Sequence, residues 1–153
     1  MANLLIVAHA PSDNTRRLVT AVADGARGPA ISGIRVDCRS PFDTHAGHVL
    51  KADAVILGTT ENFGYMSGAL KDFFDRIFYP CLEHTEAMPY ALFVKGGHDG
   101  TGARRSVESI TAGLKWRAVQ APIVMSGGYR QDWLPALEEL GAGMAAGLEA
   151  GIF

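Results

Sequence analysis

The sequence predicts an α/β fold, a three-layer sandwich in which a five-stranded parallel sheet of strand order 2-1-3-4-5 lies between two layers of helices. Short apolar runs alternate with amphipathic helical segments along the chain, and this βα pattern occurs five times. Right-handed crossovers between parallel strands place helices on both faces of such a sheet. The 153 residues have the length of one domain, which we expect to span residues 1–153.

The first half of the chain contains three of the predicted strands. The apolar run Leu4–Ala8 predicts the first strand, and a helix follows from about Asn14 to Ala26, because its apolar residues recur on one face. A second strand is predicted near Gly33–Cys38. An irregular segment follows through positions 41–47, which contain proline and glycine, and the run Ala54–Gly58 then predicts the third strand.

The second half continues the alternation. Pro80 and Pro89 bound a loop, because the residue before a proline disfavours the helical conformation. The apolar runs on either side of the third long helix have the length of buried strands. In order, the predicted elements are helix Ser67–Tyr79, strand Tyr90–Val94, helix Thr101–Trp116, strand Val119–Met125 and a last helix from Trp133 or Leu134 to Glu149.

The composition argues against several classes of function. Apolar residues come in short blocks, so we expect no segment to cross a membrane. The net charge is −2 and no basic stripe is present, which argues against a nucleic-acid partner. The N-terminus lacks a basic secretory leader, and the two cysteines, Cys38 and Cys81, have neither disulfide nor metal spacing. We therefore expect a cytoplasmic protein.

Three nucleotide- or phosphate-binding classes of this architecture are excluded by their motifs. The segment after the first strand, His9–Thr15, contains neither the G-x-G-x-x-G of a dinucleotide-binding domain nor the G-x-x-x-x-G-K-[ST] of a P-loop. A response-regulator receiver would have a phosphoacceptor aspartate at the end of the third strand. Gly58 and Thr59 stand there instead.

Three loops carry the residues expected to bind a ligand. Ser12–Thr15 begins the first helix, where free amide groups bind phosphate, although an ordinary cap without a ligand explains this loop equally well. Glycines at positions 58, 64 and 68 allow a flat ligand to approach, and Gly96–Gly102 forms a similar loop after the fourth strand. The order 2-1-3-4-5 brings these loops to one crevice. They predict a mononucleotide such as FMN, with its phosphate at the first loop and its ring between the other two.

The segment after the third strand resembles that of a known family, the flavodoxin-like flavoproteins, which include flavodoxins, NADPH-dependent FMN reductases and NAD(P)H:quinone oxidoreductases. Gly58-Thr59 together with Phe63–Arg76 is similar to the family pattern G-[ST]-P-x-x-F-G-x-M-S-G-x-[LM]-K-x-F-x-D-R. Ala10–Thr15 is similar to the family's Ser-Pro turn before the first helix. Two positions depart from the pattern: Thr60 stands where the family has proline, and Tyr65 where asparagine is frequent.

The resemblance implies a role in FMN binding for residues of all three loops. Ser12, Asn14 and Thr15 would hold the phosphate. By its position at the end of the first strand, His9 could reach the phosphate, and a capping or packing role explains it equally well. The side of the ring nearest the third strand would be lined by Thr59, Thr60, Glu61, Asn62, Phe63 and Gly64. Gly96, Gly97 and His98 would close the opposite side. His98 follows two glycines, a position where a donor to the flavin or to bound substrate would sit, although a role without a ligand is the commoner one for such a histidine.

The same resemblance implies an FMN-dependent oxidoreductase that takes a hydride from NADH or NADPH and reduces a quinone, a flavin or a similar small acceptor. No catalytic side chain and no metal are expected, because the flavin supplies the redox chemistry. Two alternatives stay open: a flavodoxin-type electron carrier with a redox partner protein, and a flavin-free interaction module on the same fold. The net charge of −2 is small for a carrier that is steered to basic partners. The resemblance also implies a homodimer.

Overall fold

The computed structural model describes residues Met1–Phe153 and contains seven strands and five α-helices. Two short 3-10 turns lie at Pro41–Asp43 and Gln131–Trp133. In chain order the elements are β1 (Ala2–Ala8), α1 (Asp13–Ala26), β2 (Ile34–Arg39), α2 (Ala46–Leu50), β3 (Ala54–Asn62), β4 (Tyr65–Met66), α3 (Gly68–Cys81), β5 (Pro89–Gly96), α4 (Thr101–Gly113), β6 (Arg117–Ala118), β7 (Ile123–Ser126) and α5 (Leu134–Glu149).

The predicted parallel α/β sandwich is confirmed, but the predicted count of five strands is wrong. The parallel path runs β2-β1-β3-β5, β6 and β7 both pair with β5, and β4 pairs antiparallel with β3. The predicted fifth strand, Val119–Met125, is interrupted before β7. Pro122 lies in the interruption and has no N–H to donate to a ladder. In the same interruption, the side-chain amide of Gln120 donates a hydrogen bond to the Leu140 carbonyl of α5, with an N···O distance of 3.4 Å.

Alternate residues of the central strands divide the core into two layers. On one face, Leu5, Val7 and Leu57 belong to a cluster that includes the apolar sides of α3 and α4. On the other face, Leu4, Ile6 and other strand residues pack on α1 and α5. This arrangement follows from the period of two in a strand, which turns successive side chains to opposite faces. None of the helices is both long and apolar enough to span a bilayer.

Several predicted boundaries differ from those in the structure. The irregular segment after β2 contains the helix α2, and β3 continues to Asn62 where the sequence indicated a loop after Gly58. Helix α3 passes through Pro80 and ends at Cys81, one residue later, so the hydrogen bond that proline cannot make is lost only in the last turn. Helix α4 ends at Gly113 rather than at Trp116, because Lys115 has a positive φ of 60°.

Candidate functional site

The loop between β1 and α1 forms a capping box. The amide of Thr15 donates to Ser12 Oγ at 3.2 Å, and the amide of Ser12 donates to Thr15 Oγ1 at 3.0 Å. These bonds satisfy only part of the helix start. The amides of Asp13 and Asn14 have no acceptor within the chain. The loop therefore has two free N–H groups at the positive end of a helix dipole.

Two side chains in the first turn of α1 have hydrogen-bond or ion-pair partners. Asn14 Oδ1 accepts from Arg17 at 2.6 Å, which leaves the Asn14 amide nitrogen free to donate outward. Asp13 pairs with Arg16. The imidazole of His9 is half-buried, and its desolvation lowers the pKa of His9 below its usual value. At neutral pH the ring is therefore uncharged and adds no positive charge to the loop.

The segment after Gly58 is a β-hairpin rather than an open glycine-rich loop. In β3 and β4, Asn62 pairs with Tyr65, so Phe63 and Gly64 form a two-residue turn, and their φ angles are 53° and 71°. Such a turn has positive φ at both residues and normally begins with asparagine or glycine. Phe63 instead adopts this conformation with a fully exposed side chain, at 108% relative exposure.

The hairpin is fastened at its base and rests on α4. Thr59 Oγ1 is buried, accepts from the Ser67 amide at 2.9 Å and donates to the Thr60 carbonyl at 2.8 Å. Ser106 Oγ of α4 accepts from the Met66 amide at 3.1 Å. A Cβ atom on Gly102 of α4 would lie 1.8 Å from the Gly64 carbonyl oxygen. The backbone of α4 thus supports the hairpin turn directly.

The loop after β5 meets the hairpin through Glu61. The Glu61 carboxylate accepts from the His98 amide, with an O···N distance of 3.3 Å. The side chain of His98 is exposed. Asp99 accepts from the Thr101 amide at 3.0 Å, and this hydrogen bond holds the pKa of Asp99 below its usual value. The loops that follow β3 and β5 therefore touch each other at the carboxyl edge of the sheet.

Together these loops enclose a cleft of ≈ 270 Å³ at the carboxyl ends of the central strands. The cleft residues that were predicted from sequence are Ser12, Asn14, Thr15, Thr60, Glu61 and Gly97. Pro11, Lys95 and Tyr129 also line it and were not among the residues predicted to bind FMN. The cleft is not lined by the other predicted site residues, which are His9, Thr59, Asn62, Phe63, Gly64, Gly96 and His98. No group of three His, Cys, Asp or Glu side chains could hold a metal ion.

The donors in this cleft fit a phosphate-bearing ligand. Asn14 lines the cleft at the start of α1 with a free amide and a free side-chain nitrogen, and the free amide of Asp13 precedes it in the same turn. A Cβ atom on Gly97 would meet no atom within 4 Å, so this position leaves open space across the cleft. The residues present therefore suit a mononucleotide whose phosphate lies at α1 and whose ring lies toward the hairpin.

Comparisons with known proteins agree with this geometry. The sequence profile of the family "NADPH-dependent FMN reductase" matches residues 41–131. An NAD(P)H dehydrogenase (quinone) of Acidithiobacillus ferrooxidans is 29% identical over 96 residues, a match that covers 50% of this chain and 47% of that protein. A flavodoxin of Aquifex aeolicus is 30% identical over 110 residues, which cover 72% of this chain and 58% of that protein. The chain thus spans about half the length of these curated relatives.

Among solved structures, a flavodoxin from the domain Archaea superposes with a TM-score of 0.80 at 16% identity, and the match covers 94% of this chain and 96% of that one. At this identity the likeness shows the fold, which is that of flavodoxin. The family match extends over more than half of the chain and includes β3, the hairpin, α3 and β5. The expected resemblance is therefore confirmed, and the chain belongs to the NADPH-dependent FMN reductase family of flavodoxin-like proteins.

Proposed function

We propose that this chain binds FMN in the cleft at the carboxyl edge of its sheet and acts as an NAD(P)H-dependent oxidoreductase. The observation that carries the proposal is the meeting of three loops, after β1, β3 and β5, around one cleft with free donors at the start of α1. Open α/β sheets bind their ligands at this place, where the strand order reverses. Family membership supports FMN as the ligand.

Each wall of the cleft has a separate task in this proposal. The amides of Asp13 and Asn14, with the Asn14 side chain, hold the phosphate. Thr60 and Glu61 of β3 line one side of the ring, and Gly97 allows the ring to approach the other loop. Bound FMN would supply the chemistry by accepting a hydride from NADH or NADPH and passing electrons to an acceptor. The protein therefore needs to bind, orient and shield the ring, and it needs no nucleophilic side chain.

A small acceptor such as a quinone is supported by the relative named NAD(P)H dehydrogenase (quinone). The second candidate function is electron transfer to a redox partner protein, which is supported by the flavodoxin relative and by the superposition on a flavodoxin along nearly the whole chain. That superposition also supports one domain over residues 1–153. A homodimer and a cytoplasmic location stay predictions; the exposed Phe63 and Tyr65 beside the cleft are consistent with the former.

Titration of the apoprotein into FMN, followed by quenching of flavin fluorescence, tests the cofactor. Asn14→Ala removes a phosphate donor, and Gly97→Val places side-chain atoms where a Cβ meets no protein atom. We expect wild-type protein to quench the fluorescence and both variants to bind FMN at least tenfold more weakly, since a lost hydrogen bond to a charged group is worth about 1.5–3 kcal/mol. Gly47→Val in α2 is the matched control, because it also has open space and lies outside the cleft.

Absence of quenching by the wild type would refute both flavin functions and leave the flavin-free interaction module. With FMN bound, anaerobic addition of NADH or NADPH separates the two flavin functions. In an oxidoreductase, the nicotinamide reduces the bound flavin and its visible absorbance falls within the time of one turnover, after which the reduced protein reduces added quinone. A carrier keeps its flavin oxidised until a chemical reductant or a reductase is added.

A further inference from the structure

Lys95 occupies an unusual position for a lysine. It is the penultimate residue of β5 and is paired on both sides, with Thr60 of β3 and with Met125 of β7. The six preceding residues of this strand, Pro89–Val94, are all buried. Lys95 itself is only partly buried, so the strand holds its stem beside the core while its ammonium stays at the surface.

The chain itself offers no such partner. The Lys95 ammonium donates only to the carbonyl of its neighbour Gly96, at 3.3 Å, and lies 6.0 Å from the centre of the Trp133 ring. No carboxylate oxygen lies within the 4.0 Å of an ion pair. Glu61 lines the same cleft, but its carboxylate accepts from the His98 amide. The positive charge of Lys95 is thus not neutralised by the protein.

The open side of this ammonium is the cleft that contains the start of α1. Because side chains alternate along a strand, Lys95 lies on the same face as Phe93, which packs with α1 and α5. It lines the cleft together with Ser12, Asn14 and Thr15. All of the side-chain donors from α1 in this cleft are uncharged. Apart from the Glu61 carboxylate, which accepts from the His98 amide, the cleft thus combines neutral donors with one cation that has no ion-pair partner, and these groups suit a phosphomonoester dianion.

The geometry points to Lys95 as the charge partner of the ligand's phosphate. Riboflavin has the same ring as FMN but no phosphate, so Lys95 would make the cleft bind FMN in preference to riboflavin. This inference rests on the proposed FMN site. Arg17 is not an equivalent cation, because it does not line the cleft: its guanidinium donates to Asn14 Oδ1 at 2.6 Å and lies 6.0 Å from the centre of the Tyr129 ring.

The test compares the dissociation constants of FMN and riboflavin for the wild type and for Lys95→Met, measured by fluorescence quenching. We expect Lys95→Met to weaken FMN binding by roughly 10- to 100-fold, as for loss of a charged hydrogen bond, and to change riboflavin binding by less than about twofold. Lys95→Arg keeps the charge and should keep most of the preference for FMN. Lys51→Met removes a lysine outside the cleft and should change neither constant.

The possible outcomes separate this inference from the proposed function. A wild type that binds no FMN refutes the proposed function, and with it the inference. If Lys95→Met retains the wild-type ratio of FMN to riboflavin affinity, the inference is overturned while the flavin site stands. Equal weakening of both ligands also overturns it, because Lys95 would then act on the ring or on the fold. If Lys95→Met fails to fold, the wild type still decides: KCl should weaken FMN binding and leave riboflavin binding unchanged, and FMN binding that ignores salt contradicts a charge partner.

Discussion

Gly102 tests whether α4 sets the position of the hairpin that forms one wall of the cleft. In Gly102→Ala, the new Cβ would lie 1.8 Å from the Gly64 carbonyl oxygen and 2.7 Å from its carbon. A carbon atom and a carbonyl oxygen pack at about 3.3–3.6 Å, so the hairpin turn must move away from the helix by roughly 1.5 Å. A shift of this size also stretches the hydrogen bond between the Met66 amide and Ser106 Oγ, which is 3.1 Å long.

The magnitude follows from three contributions. Overpacking costs typically 1–3 kcal/mol, and a lost hydrogen bond about 1 kcal/mol. Replacing glycine by alanine in a helix raises the free energy of unfolding by up to about 1 kcal/mol, which offsets part of this cost. We therefore expect Gly102→Ala to lower the free energy of unfolding by about 1–3 kcal/mol. FMN affinity should fall as well, because the cleft residues Thr60 and Glu61 lead directly into the turn that is displaced.

The assay combines urea unfolding with FMN titration for three variants. Gly113→Ala, at the other end of α4, is the matched control, because its Cβ meets only the edge of the Phe78 ring at 3.3 Å. Ser106→Ala removes the hydrogen bond without adding volume and should cost about 1 kcal/mol, with a smaller effect on FMN affinity. A Gly102→Ala protein with the stability and FMN affinity of the wild type would refute the reasoning that α4 fixes the hairpin.

Three further substitutions test the packing of α5 on α1 and the conformation of the hairpin turn. In Gly141→Ala the Cβ would lie 2.0 Å from the Val22 carbonyl oxygen of α1, so we expect urea unfolding to show a loss of about 1–3 kcal/mol in the free energy of unfolding. In Gly143→Ala of the same helix the Cβ meets only the tip of the Gln120 side chain, so this control should be neutral or stabilising by up to about 1 kcal/mol. Phe63→Asn should raise the free energy of unfolding by about 1 kcal/mol, because asparagine tolerates positive φ and no buried area is lost; a less stable variant would show that the Phe63 ring makes a stabilising contact.

The sequence predicted most reliably the elements whose signal is local. The strands of the central sheet read as apolar runs because both of their faces are buried, and the first turn of α3 was indicated by Ser67, whose Oγ accepts from the Leu70 amide at 3.2 Å. The loop Ser12–Thr15 was recognisable as a cap for the same reason. These features depend on neighbours within four residues, so a single sequence contains them.

What the sequence missed depends on contacts between distant segments. The extension of β3 to Asn62 carries no apolar pattern, because one side of Thr60 and Glu61 faces the cleft. The hairpin turn lacks the usual Asn-Gly signal, since Phe63 adopts the positive φ. Lys95 and Tyr129 join the cleft from strands and loops far apart in sequence. A lysine at the end of an apolar strand is a visible feature of the sequence, but taken alone it indicates only that the strand reaches solvent there.

One departure from the family pattern, Thr60, lies in the wall of the cleft. A proline at position 60 could not donate to a sheet, whereas Thr60 continues β3 and stands in register with Lys95 of β5. With Thr60 in the ladder, β3 reaches Asn62 and can turn back into β4. The same pairing fixes the backbone of Lys95 at the edge of the cleft. Thr60 and Lys95 stand in register and line the same cleft, so substitutions at Thr60 and Lys95 should not be independent in their effect on phosphate binding.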